Sequence, residues 1–268
     1  MTLSANQVEQ AAAALFDAEQ SGIQAGMLTQ QYPDMSMEDA YAVQAALVER
    51  KRASGLEIRG WKIGLTSKAM QYALNIDIPD SGILFDNMFF ENGATVENGR
   101  FIQPRIEAEI AFVLKEPIKG PNVSREQVIQ ATDHVVASLE ILDTRIVRVD
   151  PTSGTTRKIF DTIADNAANA GIVLGDQQHS IDDIDLRWVG AIVSRNGEVE
   201  ETGLGAGVLN DPVTGIVWLA NRLSVYEQSL SAGDTVLSGS FIRPIEATPG
   251  SIIEADFGSF GTVRCNFE

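Results

Sequence analysis

The sequence predicts an α+β fold of a single domain, with a mainly helical N-terminal portion over residues 1–59 and a β-rich portion over residues 60–268. Three observations point there. Apolar residues recur at helical spacing early in the chain. Beyond Gly60, short apolar or alternating runs stand between clusters of glycine, proline, asparagine and aspartate, as in strands joined by turns. No repeat of fixed period, low-complexity tract or linker divides the 268 residues.

The first helix is expected between Ser4 and Gln24, where Val8, Ala11, Ala12, Leu15 and Ala18 share one face and Gly22 and Gly26 punctuate the end. A second helix is announced by Ser36 with Asp39 three residues later, a capping-box-like start. It continues through Ala40, Val43, Leu47 and Val48 to Lys51 and Arg52, with Gly55 as its stop. Acidic residues in its first turn and basic ones in its last suit the helix dipole.

Strands are expected over residues 60–64, 107–114, 135–142, 186–195, 235–237 and 262–267. Asn196-Gly197 between strand-like flanks is a hairpin signal. Two further helices are expected over residues 124–133 and 212–223. Cys265, the single cysteine, lies in the alternating C-terminal run. It cannot form an intramolecular disulfide, and a buried structural thiol in a reducing compartment is expected.

Twenty Lys+Arg against 37 Asp+Glu give a formal charge of −17. That field repels phosphate backbones and anionic membrane surfaces, so neither nucleic acid nor membrane is expected as a partner. No apolar run reaches the roughly 18 residues a span requires, and no leader-like pattern opens the chain, which suggests the cytoplasm. An anionic small molecule would need concentrated local positive charge, from a cation or from lysine and arginine.

Glu107 and Glu109 sit one residue apart in a strand-like run, so both leave one face while Ile106, Ala108, Ile110 and Phe112 line the other. Two strand steps place them about 7 Å apart. Hard oxygen ligands at that spacing suit Mg²⁺ or Mn²⁺; the competing reading is a solvent-facing strand edge. Glu140 lies in an apolar run, Val135 to Leu142, where an ionised carboxylate is costly unless coordinated or paired. The alternative to a metal there is a core salt bridge to an arginine such as Arg105 or Arg145.

Two histidines and one cysteine make a zinc site of nitrogen and sulfur ligands hard to build. His134, beside Asp133, and His179, in a polar loop, read as structural or solvent-facing.

Lys62 stands in a short apolar strand bounded by Gly60 and Gly64. Partial burial there would lower its pKa and suit it to proton transfer. Lys68 reads as a solvated lysine. Asp80 follows Pro79, and the residues alone favour an ordinary turn aspartate over an acid–base partner for Lys62.

The segments KIGLTSKAMQ from Lys62, DSGILFDNMFF from Asp80, RFIQPRIEAEIAFVL from Arg100, FDTIADNAANAG from Phe160 and SGSFIRPI from Ser238 carry a resemblance. Through them, nearly the whole chain resembles the 2-oxo acid hydratases and decarboxylases of aromatic meta-cleavage pathways, within the fumarylacetoacetate hydrolase superfamily. The resemblance implies a mixed β-sandwich or β-roll of that superfamily's C-terminal-domain type, behind the N-terminal helical portion. It implies Mg²⁺ or Mn²⁺ on Glu107, Glu109 and Glu140, proton transfer by Lys62 and Asp80, no organic cofactor, and a homo-oligomer.

It further implies Phe160, Asp161, Thr162 and Ser240 as pocket residues. The later segments resemble members acting on a seven-carbon 2-oxo dicarboxylic acid, which implies a hydro-lyase working through a metal-stabilised dienolate. Arg157 and Arg243 are candidates for the distal carboxylate because arginine grips carboxylates bidentately, the alternative being surface arginines in loops. Hydration of a shorter 2-oxo acid, decarboxylation of 4-oxalocrotonate, and a non-catalytic partner subunit are the competing functions.

Overall fold

The computed structural model describes residues 1–68, 71, 72, 76 and 78–268, so Ala69 and Met70 of the KIGLTSKAMQ segment lie outside the described residues. Helix α1 spans Ala5–Ser21. Ser4 caps it reciprocally: its Oγ accepts from the Gln7 amide at 3.4 Å, and Gln7 Oε1 accepts from the Ser4 amide at 2.8 Å. Gly22, at φ 69°, closes it in the left-handed conformation. A short helix α2, Leu28–Gln31, precedes α3, Met37–Ala53, which starts at the expected Ser36–Asp39 box.

Val8, Ala11, Ala12 and Leu15 of α1 pack with Ala40, Val43 and Leu47 of α3 in one apolar cluster that also takes in Ile146, Ile163 and Ala164. Burying each large aliphatic side chain there contributes roughly 1.5–3 kcal/mol.

The strands are β1 Ile58–Gly64, β2 Asp80–Phe85, β3 Phe89–Phe90, β4 Thr95–Val96, β5 Arg105–Leu114, β6 Thr132–Leu142 and β7 Asn169–His179. They continue with β8 Gly190–Arg195, β9 Glu198–Leu204, β10 Thr235–Leu237, β11 Ile245–Glu246, β12 Ile252–Asp256 and β13 Thr262–Phe267. Helices α4 Arg125–Ala131, α5 Ile159–Ala164 and α6 Pro212–Ser224 lie between them. An eight-stranded sheet runs β2-β1-β10-β5-β6-β7-β3 with β11 also paired to β5, and a five-stranded sheet runs β4-β13-β12-β8-β9. Both sheets mix parallel and antiparallel pairs.

Phe112 and Leu139 of the first sheet share one apolar cluster with Val193, Ile253 and Val263 of the second, so the α+β expectation holds. Cys265 is fully buried in β13, and burial pushes its thiol up to about 12. No helix among the described residues is long and apolar enough to cross a membrane.

The hairpin at Asn196-Gly197 forms between β8 and β9, with φ of 55° and 85° at its two central residues. The strand expected over residues 186–195 begins only at Gly190. Leu186–Trp188 instead makes a tight helical turn, because Asp185 Oδ1 accepts from the Arg187 amide at 3.2 Å. His179 is not in a loop: it ends β7, with Nε2 3.1 Å from Phe260 O and its ring stacked on Phe260.

Candidate metal centre and active site

Antiparallel pairing of β5 with β6 sets Glu107 directly opposite Glu140, and the alternation of β5 puts Glu109 on the same face. One carboxylate oxygen from each of the three lies within 4.8 Å of the others. Glu109 and Glu140 are fully buried, and Glu107 is half-buried. Glu109 Oε2 accepts from the Gly239 amide at 2.8 Å. Among the described residues, Glu109 Oε1 and both Glu140 oxygens are buried with no hydrogen-bond partner.

Buried carboxylate oxygens without donors are costly. The orphaned oxygens and the all-oxygen donor set therefore fit a hard divalent cation. Burial first, and then Glu140, push the Glu107 carboxyl up to about 8, against the pull of Lys62 and Arg105. Burial, Glu140 and Glu107 likewise hold Glu109 well above the ordinary carboxylate range.

Lys62 approaches from β1, next to β2 and β10 in the sheet. Its Nζ is 3.3 Å from Glu140 Oε1, an ionic contact without hydrogen-bond alignment. Burial alone would lower its pKa, as the sequence suggested. The carboxylates of Glu140, Asp80, Glu107 and Glu109 outweigh burial and hold the ammonium above its ordinary value, which corrects that expectation.

Asp80 corrects the other expectation drawn from the residues alone. It is the first residue of β2, 3% exposed, and opposite Gly64 rather than in a solvated turn. Its Oδ1 has no hydrogen-bond partner among the described residues. Burial raises its carboxyl, opposed by Lys62 and the Gly64 amide.

Two glycines shape this corner: Gly64, which bounds the Lys62 strand, and Gly82, which lies in none of the strands expected from the sequence. A Cβ on Gly64 would stand 2.1 Å from Asp80 Oδ1 and 3.2 Å from Lys62 Nζ. A Cβ on Gly82 would stand 2.5 Å from Asn166 O. Asn166 fastens the outer edge of β2, accepting from the Ile83 amide at 2.8 Å and donating to Ile83 O at 2.9 Å. Gln44 adds a donor to Ser81 O at 2.8 Å. A glycine inside a strand pattern is the signal that would have found Gly82.

Lys62, Asp80, Glu107, Glu109 and Glu140 thus come together from four strands, β1, β2, β5 and β6. Ser240 is next to the Gly239 amide, and its Oγ donates to Ile242 O at 3.0 Å. Phe160 and Thr162, on α5, are half-buried, and Phe160 packs on the N-terminal apolar cluster. Asp161 is fully buried, and its oxygens accept from the Thr29 amide at 2.9 Å, Thr29 Oγ1 at 2.7 Å and the Lys158 amide at 2.8 Å.

Arg157 Nη1 donates to Thr144 Oγ1 at 2.5 Å. Arg243 is paired with Glu201 at 2.6 Å. Neither arginine considered for Glu140 reaches it: Arg105 pairs with Glu246, and Arg145 with Asp165. An open groove of about 920 Å³, lined by Ile192, Leu204, Phe241 and Phe257 among others, contains none of the five clustered residues.

Comparison with known proteins matches this arrangement to a family. Over 253 residues the chain is 48% identical to 2-oxo-hept-4-ene-1,7-dioate hydratase of Escherichia coli, covering 94% of this chain and 95% of that protein. It is 39% identical over 266 residues to 2-keto-4-pentenoate hydratase of Paraburkholderia xenovorans (strain LB400), covering 99% and 97%. Its structure superposes on 4-oxalocrotonate decarboxylase from Pseudomonas putida G7, complexed with magnesium and adipate, with a TM-score of 0.93. That pair shares 33% identity over 100% of this chain and 99% of the other. Residues 60–268, which hold all five clustered side chains, match the fumarylacetoacetate (FAA) hydrolase C-terminal family, and the chain belongs to it.

Proposed function

We propose that the protein is a divalent-metal-dependent hydro-lyase that hydrates 2-oxohept-4-ene-1,7-dioate to 4-hydroxy-2-oxoheptanedioate in aromatic catabolism. The observation that carries this reading is the cluster of Glu107, Glu109 and Glu140, in which the oxygens of Glu109 and Glu140 orphaned among the described residues lie beside Lys62. The 48% identity to a hydratase of that name directs the choice of substrate. In this reading Mg²⁺ or Mn²⁺ is held by the three glutamates, no organic cofactor takes part, and the chain works in the cytoplasm as a homo-oligomer.

A bound divalent cation supplies positive charge that polarises a 2-oxo carboxylate and acidifies the neighbouring carbon. The chain's own residues move the protons. Asp80, with Oδ1 unpartnered among the described residues and Gly64 clearing its approach, takes a proton from C3. Lys62, with Nζ 3.3 Å from Glu140 Oε1, delivers one to C5, and the double bond moves from C4–C5 to C3–C4. Water then adds across C3–C4, with hydroxyl to C4 and a proton to C3. Ser240 and the α5 residues Phe160, Asp161 and Thr162 belong to the substrate surroundings in this reading.

Decarboxylation is the second reading, favoured by the 0.93 TM-score to a decarboxylase. Product analysis separates them. With Mg²⁺ present, 2-oxohept-4-ene-1,7-dioate should give the hydrated product, and 4-oxalocrotonate should release no carbon dioxide. Carbon dioxide from the second without hydration of the first would establish a decarboxylase. Turnover of neither would favour a non-catalytic partner subunit.

A further inference from the structure

A seven-carbon diacid brings a second carboxylate into a chain of formal charge −17, and something must receive it. Arg105 precedes Glu107 by two residues on β5, so its side chain leaves the same face about 7 Å further along the row of Glu107 and Glu109. Arg148 and Arg157 stand at the base of one excursion of the chain. The Arg157 amide donates to Arg148 O at 3.0 Å, and Val149 bridges Thr156.

Among the described residues these guanidiniums share one ion-paired acid, Glu246, while Asp165 and Asp161 act on Arg157 from beyond ion-pair distance. Glu246 Oε1 accepts from Arg105 Nε at 2.6 Å and is also the oxygen 3.8 Å from Arg148 Nη1. Asp143, close by, is committed to the amides of Ile102 at 2.9 Å and Gln103 at 2.7 Å. Arg157 Nη1 reaches the neutral Thr144 hydroxyl. Arg148 Nε is buried with no hydrogen-bond partner among the described residues. Burial first, then Arg105, with Arg157 adding to them, push Arg148 down to about 10 against Glu246.

The spacing suits the ligand. The carboxylate carbons of a linear seven-carbon diacid are six bonds apart, the length of two extended residues, about 7 Å. The step from Glu107 to Arg105 is of the same size.

We propose that Arg105, Arg148 and Arg157 form the subsite for the distal carboxylate of a linear 2-oxo dicarboxylic acid whose other end is held at Glu107, Glu109 and Glu140. This inference rests on the function proposed above, and it replaces Arg243, whose side chain is 79% exposed.

The test is calorimetric titration, with Mg²⁺ present, of 2-oxoheptanedioate and of 2-oxoheptanoate, which has the same chain without the second carboxylate. Wild type should prefer the diacid by about tenfold or more. Arg148→Ala should lose most of that preference and bind the monoacid as wild type does, so the monoacid also reports an intact fold. Should Arg148→Ala bind neither ligand, Arg148→Lys decides. It should keep the monoacid affinity and only part of the preference, because a point charge replaces the fork.

Full preference in both Arg148→Lys and Arg105→Gln, or its loss in Arg243→Ala alone, overturns the subsite. Equal wild-type affinity for the two ligands also rejects the subsite and leaves the proposed function standing. Wild type binding neither ligand rejects that function, and the subsite with it.

Discussion

Lys62 Nζ lies 3.3 Å from Glu140 Oε1, and both side chains are buried. One ammonium therefore faces a cluster of three carboxylates, two of them fully buried. Breaking a buried pair from one side usually leaves an uncompensated charge that costs several kcal/mol. Here a divalent cation on the same carboxylates would take over that compensation, so Lys62 is free to serve chemistry.

Replacing the lysine tests this division of labour. Lys62→Met should lower kcat by roughly 100-fold or more, the low end of what a positioned acid or base contributes. Its Mg²⁺ affinity, read by calorimetry, should be no weaker than wild type, because the ammonium that shares Glu140 has gone. Loss of metal binding together with the lysine would show that Lys62 organises the carboxylates rather than moving protons.

Removing the metal should act on stability as well as turnover. A ligand that binds only the folded state stabilises by about 2.7 kcal/mol at 100 times its Kd, so chelator-treated protein should melt lower and recover with Mg²⁺. Glu109→Gln relieves part of the buried like-charge repulsion. Its chelator-treated form should therefore melt at or above chelator-treated wild type and respond little to Mg²⁺. A metal-induced rise in Tm as large as that of wild type would remove Glu109 from the ligand set.

Gly64→Ala is the smallest change predicted to disable the site without touching a ligand. Its Cβ would meet Asp80 Oδ1 at 2.1 Å, so the carboxylate must swing away, although the glycine's own backbone is open to other residues. We expect kcat to fall at least about tenfold, with Mg²⁺ affinity retained, if Asp80 contributes as a general base. Unchanged kcat would mean that the Asp80 carboxylate has no fixed place in the reaction.

What was legible in the sequence is what short-range chemistry dictates. The boxes at Ser4 and Ser36, the Asn196-Gly197 turn and the alternation that aligns Glu107 with Glu109 each depend on a few neighbouring residues. The residues alone place Asp80 in a turn, because β2 is fastened by an amide 83 positions away, Asn166 on Ile83; only the resemblance paired it with Lys62. Asn166, Ala167 and Ala168 all adopt left-handed φ, of 51°, 52° and 60°, which no local pattern announces in non-glycine residues. The direction of the Lys62 shift failed for the same reason, since Glu140 arrives from another strand. The buried partner of Arg145 proved to be Asp165, which accepts from both its guanidinium and its amide.

Asp39 offers a pH test remote from the metal centre. Its carboxylate accepts from the amides of Thr2 at 2.9 Å, Leu3 at 3.0 Å and Ser36 at 2.9 Å, and from the Thr2 hydroxyl at 2.8 Å. Burial would raise its pKa, but those donors, Leu3 and Ser36 foremost, hold it well below the ordinary carboxylate range. A carboxyl lowered in the folded state adds stability above its unfolded value of about 3.9 and loses it as pH falls towards the folded value. Asp39→Asn should therefore cost on the order of 1 kcal/mol at neutral pH, as a lost cap does. The gap in urea midpoint between variant and wild type should be full at about pH 6 and shrink steadily below about pH 4. A gap that stayed constant down to about pH 2.5 would assign the loss to packing of residues 2 and 3 rather than to the charge on Asp39.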